Sequence, residues 1–149
     1  MRTQLGDTLR VIGERSALMV IQEVSLGVRR FDELQVATGV PRAVLSDRLR
    51  RLTDAGILAT RVYRVPGSRA RSEYTMTPAG SDLLPVLAAI SDWGARHRLT
   101  DGHEAIDGFG ERDVDYRHVA CGGHVTAVLV CECGQQITPE KNLVAQVNR

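Results

Sequence analysis

The stretch at residues 41–56, PRAVLSDRLRRLTDAG, decides how most of this chain is read. At about 100° per residue, Leu45, Leu49 and Leu52 fall on one narrow stripe, the pattern of an amphipathic helix docked on a core. The opposite face carries Ala43, Ser46, Asp47 and Arg50, with Arg42 and Arg51 on its flanks. A helix of about fourteen residues is roughly 21 Å long, and its girth fits the DNA major groove. Pro41 suits the first helical position, where no N–H is needed, and Gly56 suits the stop. An ordinary surface helix with a solvated charged face has the same pattern, so the flanking sequence must decide.

Charge is the first flanking signal. The chain of 149 residues has a formal net charge of +1 and a 43% hydrophobic content, which fits a globular protein with one domain and a small appendage. The charges are unevenly spread. Between residues 29 and 71 ten arginines stand against Asp32, Glu33, Asp47 and Asp54, with no lysine, whereas residues 101–115 are mostly acidic. Dense local basic charge is the footprint of a phosphate-binding surface, and arginine adds a bidentate fork that lysine lacks. Met1-Arg2 opens no uninterrupted apolar run and no segment is long enough to span a bilayer, so a cytoplasmic protein without membrane contact is expected. The three cysteines, Cys121, Cys131 and Cys133, lie close together late in the chain, which speaks for thiols and against a disulfide framework.

Periodicity supplies the second signal. In residues 5–26, Leu9, Ile12, Leu18, Ile21 and Val24 recur at helical spacing, with Gly13 dividing a short helix from a longer one and Gly27 ending the second. VRRFDELQVATGV then predicts a short helix with Phe31, Leu34 and Val36 or Ala37 inward, closed by Gly39. Two short helices about a glycine turn form a helix-turn-helix pattern. Beyond Gly56 the period changes: ILATRVYRV and SEYTMT alternate as strands, and between them PGSRARS is a basic loop holding Pro66, Gly67, Arg69 and Arg71. This predicts a β-hairpin with a cationic tip beside the candidate recognition helix. Thr77 and Pro78 then read as N-cap and first helical residue. The next helix carries a broad apolar band of Leu83, Leu84, Val86, Leu87, Ile90 and Trp93, with a kink or fresh start near Asp82 because Pro85 lacks a donor. Such a band predicts burial against a second protomer or within one domain.

Residues 5–97 resemble the HxlR-type winged helix-turn-helix transcriptional regulators, relatives of the MarR group. The matching pieces are LRVIGERSALMVIQEV, GVRRFDELQ, VLSDRLRRLTDAGIL, EYTMTPAG and DLLPVLAAISDWG, in that order. The resemblance implies a homodimer, held by the first and last helices, that binds a palindromic operator in double-stranded DNA as a regulator, in the first instance a repressor. A winged-helix dimer also leaves apolar space for a small-molecule effector between its helices. Two positions depart from the pattern. Ser16 stands where the family usually has a tryptophan, and Thr3 where some redox-sensing members have a cysteine.

After Trp93 the character shifts. Residues 99–115 are polar, rich in Gly and Asp, and read as a linker between a DNA-binding and dimerisation domain at 1–98 and a β-rich appendage at 116–149. In that appendage VTAVLV has strand character and lies between His118-x-x-Cys121-Gly-Gly and Cys131-x-Cys133-Gly. His118, Cys121, Cys131 and Cys133 make a candidate zinc set, because zinc takes four N or S ligands, often from two turn-borne pairs. The CxC spacing is shorter than the usual CxxC, His124 is a spare ligand, and the competing reading is a small β-module with buried, unmetallated cysteines. No third orienting group accompanies His118 and the thiols, so no enzyme is expected.

The fold expected is therefore mainly α with a β-hairpin wing, plus a small C-terminal β-rich appendage. The function expected is sequence-specific DNA binding, through Arg42, Ala43, Ser46, Asp47, Arg50 and Arg51 on the helix and Arg69 and Arg71 in the wing. The alternatives are a protein-interaction module, or a metal- or redox-sensing module, on the same fold.

Overall fold

The computed structural model describes residues 3–97 and 114–146, so most of the linker expected over 99–115 lies outside the described residues. Helix α1 (Gln4–Ile12) starts at Thr3, whose hydroxyl accepts the Gly6 N–H, and ends at Gly13, the expected break. Helix α2 (Arg15–Ser25) follows, then α3 (Phe31–Thr38) and α4 (Arg42–Asp54). The turn between α3 and α4 is built on Thr38. Its buried hydroxyl donates to the Leu34 carbonyl at 2.7 Å and accepts the Val40 N–H at 3.3 Å. Helix α4 begins one residue later than expected. Pro41 is its N-cap, with an extended ψ of 141° that redirects the chain out of the turn, and its carbonyl accepts the Leu45 N–H. Inside α3 the buried residues are Leu34 and Thr38, while Val36 is exposed, contrary to one reading of the pattern. The inward stripe runs through Phe31, Leu34 and Thr38, at the three- and four-residue spacing of one helix face.

Helix α4 ends at Gly56, where φ is +71°, a conformation that costs a side-chain-bearing residue. Gly56 N–H bonds to the Thr53 carbonyl and Ile57 N–H to the Leu52 carbonyl, the paired bonds of a Schellman stop. Strands β1 (Leu58–Tyr63) and β2 (Arg71–Met76) pair antiparallel, from Leu58 opposite Met76 to Tyr63 opposite Arg71. Arg71, expected in the loop, is instead the first residue of β2, because its backbone pairs with Tyr63. A bridge between Arg30 and Glu73, with the Tyr74 N–H bonded to the Arg29 carbonyl at 2.8 Å, places the chain before α3 along the free edge of β2.

The core is organised on α2. Ala17, Val20, Ile21 and Val24 pack with Leu34, Val40, the α4 stripe Leu45–Leu49–Leu52, and Leu58 and Leu87. Each fully buried leucine contributes about 1.5–3 kcal/mol of transfer free energy, so the α4 stripe fixes the rotation of that helix about its axis. Thr77 caps the short helix α5 (Pro78–Ser81), accepting the Gly80 N–H, and donates its hydroxyl to the Gly56 carbonyl at 2.6 Å. A Cβ on Gly80 would lie 2.2 Å from the Ile57 carbonyl oxygen, so this close approach requires glycine. Helix α6 (Leu84–Arg96) is a fresh start with Pro85 in its first turn. Leu87 and Ala88 are buried, whereas Val86, Ile90 and Trp93 are exposed.

The strand expected over residues 125–130 is not formed. The described tail, 114–146, contains isolated bridges between Arg117 and His124 and between Val130 and Gln136, and a short helix α7 (Pro139–Asn142). Among the described residues no strand pairs along VTAVLV, and beyond residue 114 only Tyr116 and Ile137 of the described tail are even half-buried. Tyr116 packs against the core, and His124 Nε2 lies 3.5 Å from Asp92 Oδ1 on α6, so these two residues hold the tail to the body.

Candidate nucleic-acid interface

With its leucine stripe buried, α4 turns Arg42, Ala43, Ser46, Arg50 and Arg51 outward, and Asp47 is half-buried among them. These are the predicted contact positions, and the structure brings them onto one surface. Their charges are paired within the chain. The Asp47 carboxylate receives Arg50 Nη2 at 2.7 Å, Arg51 Nε at 2.8 Å and Arg48 Nη1 at 3.4 Å. The Arg50 hydrogen bond, with the positive charge of all three arginines, holds the Asp47 carboxyl below its ordinary range. The same bond raises Arg50. Arg50 also reaches Asp54 through Nη1 at 3.3 Å.

Arg48 differs from its neighbours. Its side chain is only 12% exposed. It donates from Nε to Ser16 Oγ at 3.0 Å and pairs through Nη2 with Glu14, so it ties α4 to the start of α2. The basic density of residues 29–71 includes Arg48 but does not reveal this role. The helical wheel carries the signal, since position 48 adjoins Leu45 and Leu52 on the buried side.

A second carboxylate organises the wing. Asp32, in the first turn of α3, lies 3.5 Å from Arg42 Nη1 and 3.6 Å from Arg71 Nη1. The Arg42 guanidinium also stacks over Phe31, 4.7 Å from the ring centre, and that of Arg30 over Tyr63 at 4.8 Å. Between α3, Arg42 and the wing lies a cleft of about 490 Å³ lined by Arg30, Asp32, Arg42, Tyr63 and Arg71 among others. At the wing tip, Ser68 N–H bonds to the Val65 carbonyl across Pro66-Gly67, the sequence of a tight turn with positive φ at its glycine. Arg69, just beyond that turn, is exposed and makes no ion pair among the described residues. Sequence reasoning missed Asp32 and Arg30 as parts of this surface because their roles depend on tertiary neighbours.

In the tail, His118 Nδ1 lies 3.2 Å from Cys121 Sγ, which also accepts the Gly123 N–H at 3.4 Å. The second cluster forms its own turn, with Cys131 N–H bonded to the Gln135 carbonyl and Gly134 N–H to the Cys131 carbonyl. The Cys131 thiol is held below the ordinary cysteine range, first by the Cys133 backbone N–H, then by the Cys133 side chain and, more weakly, the Glu132 N–H. The structure thus forms two turns, each with its own pair, and among the described residues no three His, Cys, Asp or Glu side chains converge as a metal-holding group. All three cysteines are exposed, contrary to the reading of packed, buried thiols, since the tail has almost no interior to put them in. His124 is committed elsewhere, with Nδ1 at 2.6 Å from Asp115 Oδ1, and this bond is the main reason Asp115 titrates below its ordinary range.

A helix-turn-helix with an exposed basic second helix and an adjoining hairpin wing is the architecture of a winged helix-turn-helix DNA-binding protein. The HxlR-like helix-turn-helix family matches residues 11–101, and this chain belongs to that family. It is 36% identical over 137 residues to the HTH-type transcriptional regulators Mb3122 of Mycobacterium bovis and Rv3095 of Mycobacterium tuberculosis, covering 90% of this chain and 79% of each relative. Among solved structures it is similar to PA1607, described as a transcription factor, with a TM-score of 0.71, 26% identity, and coverage of 97% of this chain and 95% of that one. It is also similar to PA1374 of Pseudomonas aeruginosa, with a TM-score of 0.60, 26% identity, and coverage of 95% and 90%. The protein is a transcriptional regulator with a helix-turn-helix DNA-binding fold, and its relatives form a non-enzymatic class. No helix among the described residues is long and apolar enough to cross a membrane.

Proposed function

We propose that this protein is a cytoplasmic homodimer that binds a palindromic operator and represses transcription by occupying it. The observation that carries the reading is the set of exposed apolar side chains on the two helices flanking the DNA-reading unit. Leu5 and Leu9 on α1 are 68% and 51% exposed, and Ile90 and Trp93 on α6 are 51% and 50% exposed. Large apolar side chains left exposed on both helices mark a candidate interaction surface. Pairing it with its own copy about a two-fold axis covers both faces at once. It also presents two copies of α4 to successive major-groove faces, about 34 Å apart, which is why a palindrome is expected. Arg42, Ala43, Ser46, Arg50 and Arg51 meet base edges and adjacent phosphates, with Asp47 part of the same surface through its ion pairs, and Arg69 and Arg71 reach the backbone from the wing. A small-molecule effector would act by changing the spacing of the two helices.

Selection of bound duplexes from a random pool, followed by footprinting and sedimentation, tests the proposal. The expected result is a dimer at micromolar concentration that protects a two-fold symmetric site. A monomer protecting a single half-site would refute the dimer. Transcription that rises when the site is occupied would refute repression.

A further inference from the structure

Resting on the DNA-binding reading above, we propose that Asp47 is a specificity-determining residue that acts through the arginines of α4 and not by contacting a base. Its two carboxylate oxygens hold the outward-facing guanidinium groups of Arg50 and Arg51, at 2.7 and 2.8 Å, and reach the largely buried Arg48 at 3.4 Å. Arg50 is further fixed by Asp54 at its other terminal nitrogen. Each oxygen of Asp47 already faces an arginine, Oδ1 that of Arg50 and Oδ2 those of Arg51 and Arg48.

Two consequences follow from this placement. Non-specific DNA binding is driven by phosphate charge and counterion release. A carboxylate in the middle of the arginine cluster cancels part of that charge on every sequence alike. Specific binding relies on a guanidinium fork meeting the O6 and N7 acceptors of guanine. Anchoring Arg50 and Arg51 from below limits their rotamers and holds the forks in a fixed direction, so the ordering entropy of long side chains is spent before DNA arrives. Asp47 therefore lowers affinity for arbitrary sequence while sparing the operator, and the ratio between the two rises.

The test compares wild type, Asp47→Asn and Asp47→Glu on a duplex selected by the wild-type protein and on a scrambled duplex of equal composition, over a range of salt. Asp47→Asn is expected to bind the scrambled duplex about 5-fold more tightly or better, with a salt dependence steeper by roughly 0.9 in log–log slope, one recovered phosphate contact. The operator-to-scrambled ratio should fall about 10-fold, spread over several positions. Asp47→Glu keeps the charge and should restore most of the ratio. An unchanged ratio in Asp47→Asn would overturn the inference. So would a loss confined to one base pair, which would make Asp47 a direct reader, or a loss of all binding that Asp47→Glu does not rescue, which would make it structural. Failure of the wild-type protein to select any duplex would overturn the DNA-binding reading itself, and that arm is scored before either variant.

Discussion

Arg48 donates from Nε to Ser16 Oγ across 3.0 Å, joining the middle of the recognition helix to the first turn of the helix that anchors the core. Removing this link is expected to act on orientation as well as stability. Arg48→Ala deletes a charge-assisted hydrogen bond at a side chain only 12% exposed, and should cost about 1–3 kcal/mol of unfolding free energy. Urea denaturation reads the loss. Operator affinity should fall by more than the change in net charge explains, which a charge-matched Arg64→Ala control will show. Equal effects of the two substitutions would contradict an orienting role.

The two faces of α4 should separate cleanly under mutation. Leu49→Ala opens a cavity at a fully buried position and should destabilise the fold by about 2–5 kcal/mol. Arg50→Ala should leave the denaturation midpoint nearly unchanged, since its ion pairs are exposed. Its binding to the selected operator should weaken by about 1–3 kcal/mol per half-site. Retained operator preference in Arg50→Ala would show that this side chain reads no base.

In the wing, Arg69 and Arg71 should behave differently because one is ion-paired and the other is not. Arg69→Ala is expected to reduce affinity for all sequences and to flatten the salt slope by about 0.9. Arg71 must leave Asp32 to reach a phosphate, so Asp32→Asn should tighten binding generally while Arg71→Ala weakens it only modestly. Fluorescence anisotropy titrations at several salt concentrations decide between these outcomes. A change of sequence preference in Arg69→Ala would assign the tip to base reading instead.

The apolar faces of α1 and α6 should determine assembly. Ile90→Glu places a charge in the proposed two-fold contact without touching the buried core, so the variant should remain folded and sediment as a monomer. A dimer surviving Ile90→Glu and Leu9→Glu together would put the interface elsewhere.

A zinc ion shared by His118, Cys121, Cys131 and Cys133 requires the two tail turns to close on each other. On that proposal, equimolar zinc should protect all three thiols from alkylation and order the tail, because metal binding becomes folding free energy where little core exists. Protection limited to one pair, or a content under about 0.2 zinc per chain after purification, would leave the tail with two independent turns.

The sequence made α4, the wing and the caps readable because each is set by local chemistry. The leucine stripe, Gly56 with its stop, and Thr77-Pro78 each act within a turn or two of themselves. Pro41 is the N-cap where the sequence alone favours the first helical residue, because the same ring suits either place and only the direction of the incoming chain separates them. The pairings of Asp32 and Asp47 differ in legibility for a physical reason. Asp47, Arg50 and Arg51 are three and four residues apart on one helix, a spacing that implies contact, whereas Asp32 meets Arg71 only because the wing folds back over α3. The tail is illegible for the opposite reason: the β-prone run VTAVLV becomes a strand only if a partner lies alongside, and neighbours are a tertiary fact.

The bonds from Thr77 to Gly56 and Ile57 close the chain across the base of the hairpin, with Thr77 Oγ1 on the Gly56 carbonyl at 2.6 Å and Thr77 N–H on the Ile57 carbonyl at 3.1 Å. The two ends of the excursion are thereby fixed to each other, whatever the length of its tip. Because lengthening such a closed excursion costs little additional loop entropy, its tip is open to evolutionary tinkering. Insertions and exchanges around Pro66 and Gly67 can reshape the tip while α4 keeps its pose on the buried leucine stripe. A change at Gly80 has no such freedom, since any side chain there strikes the closure itself.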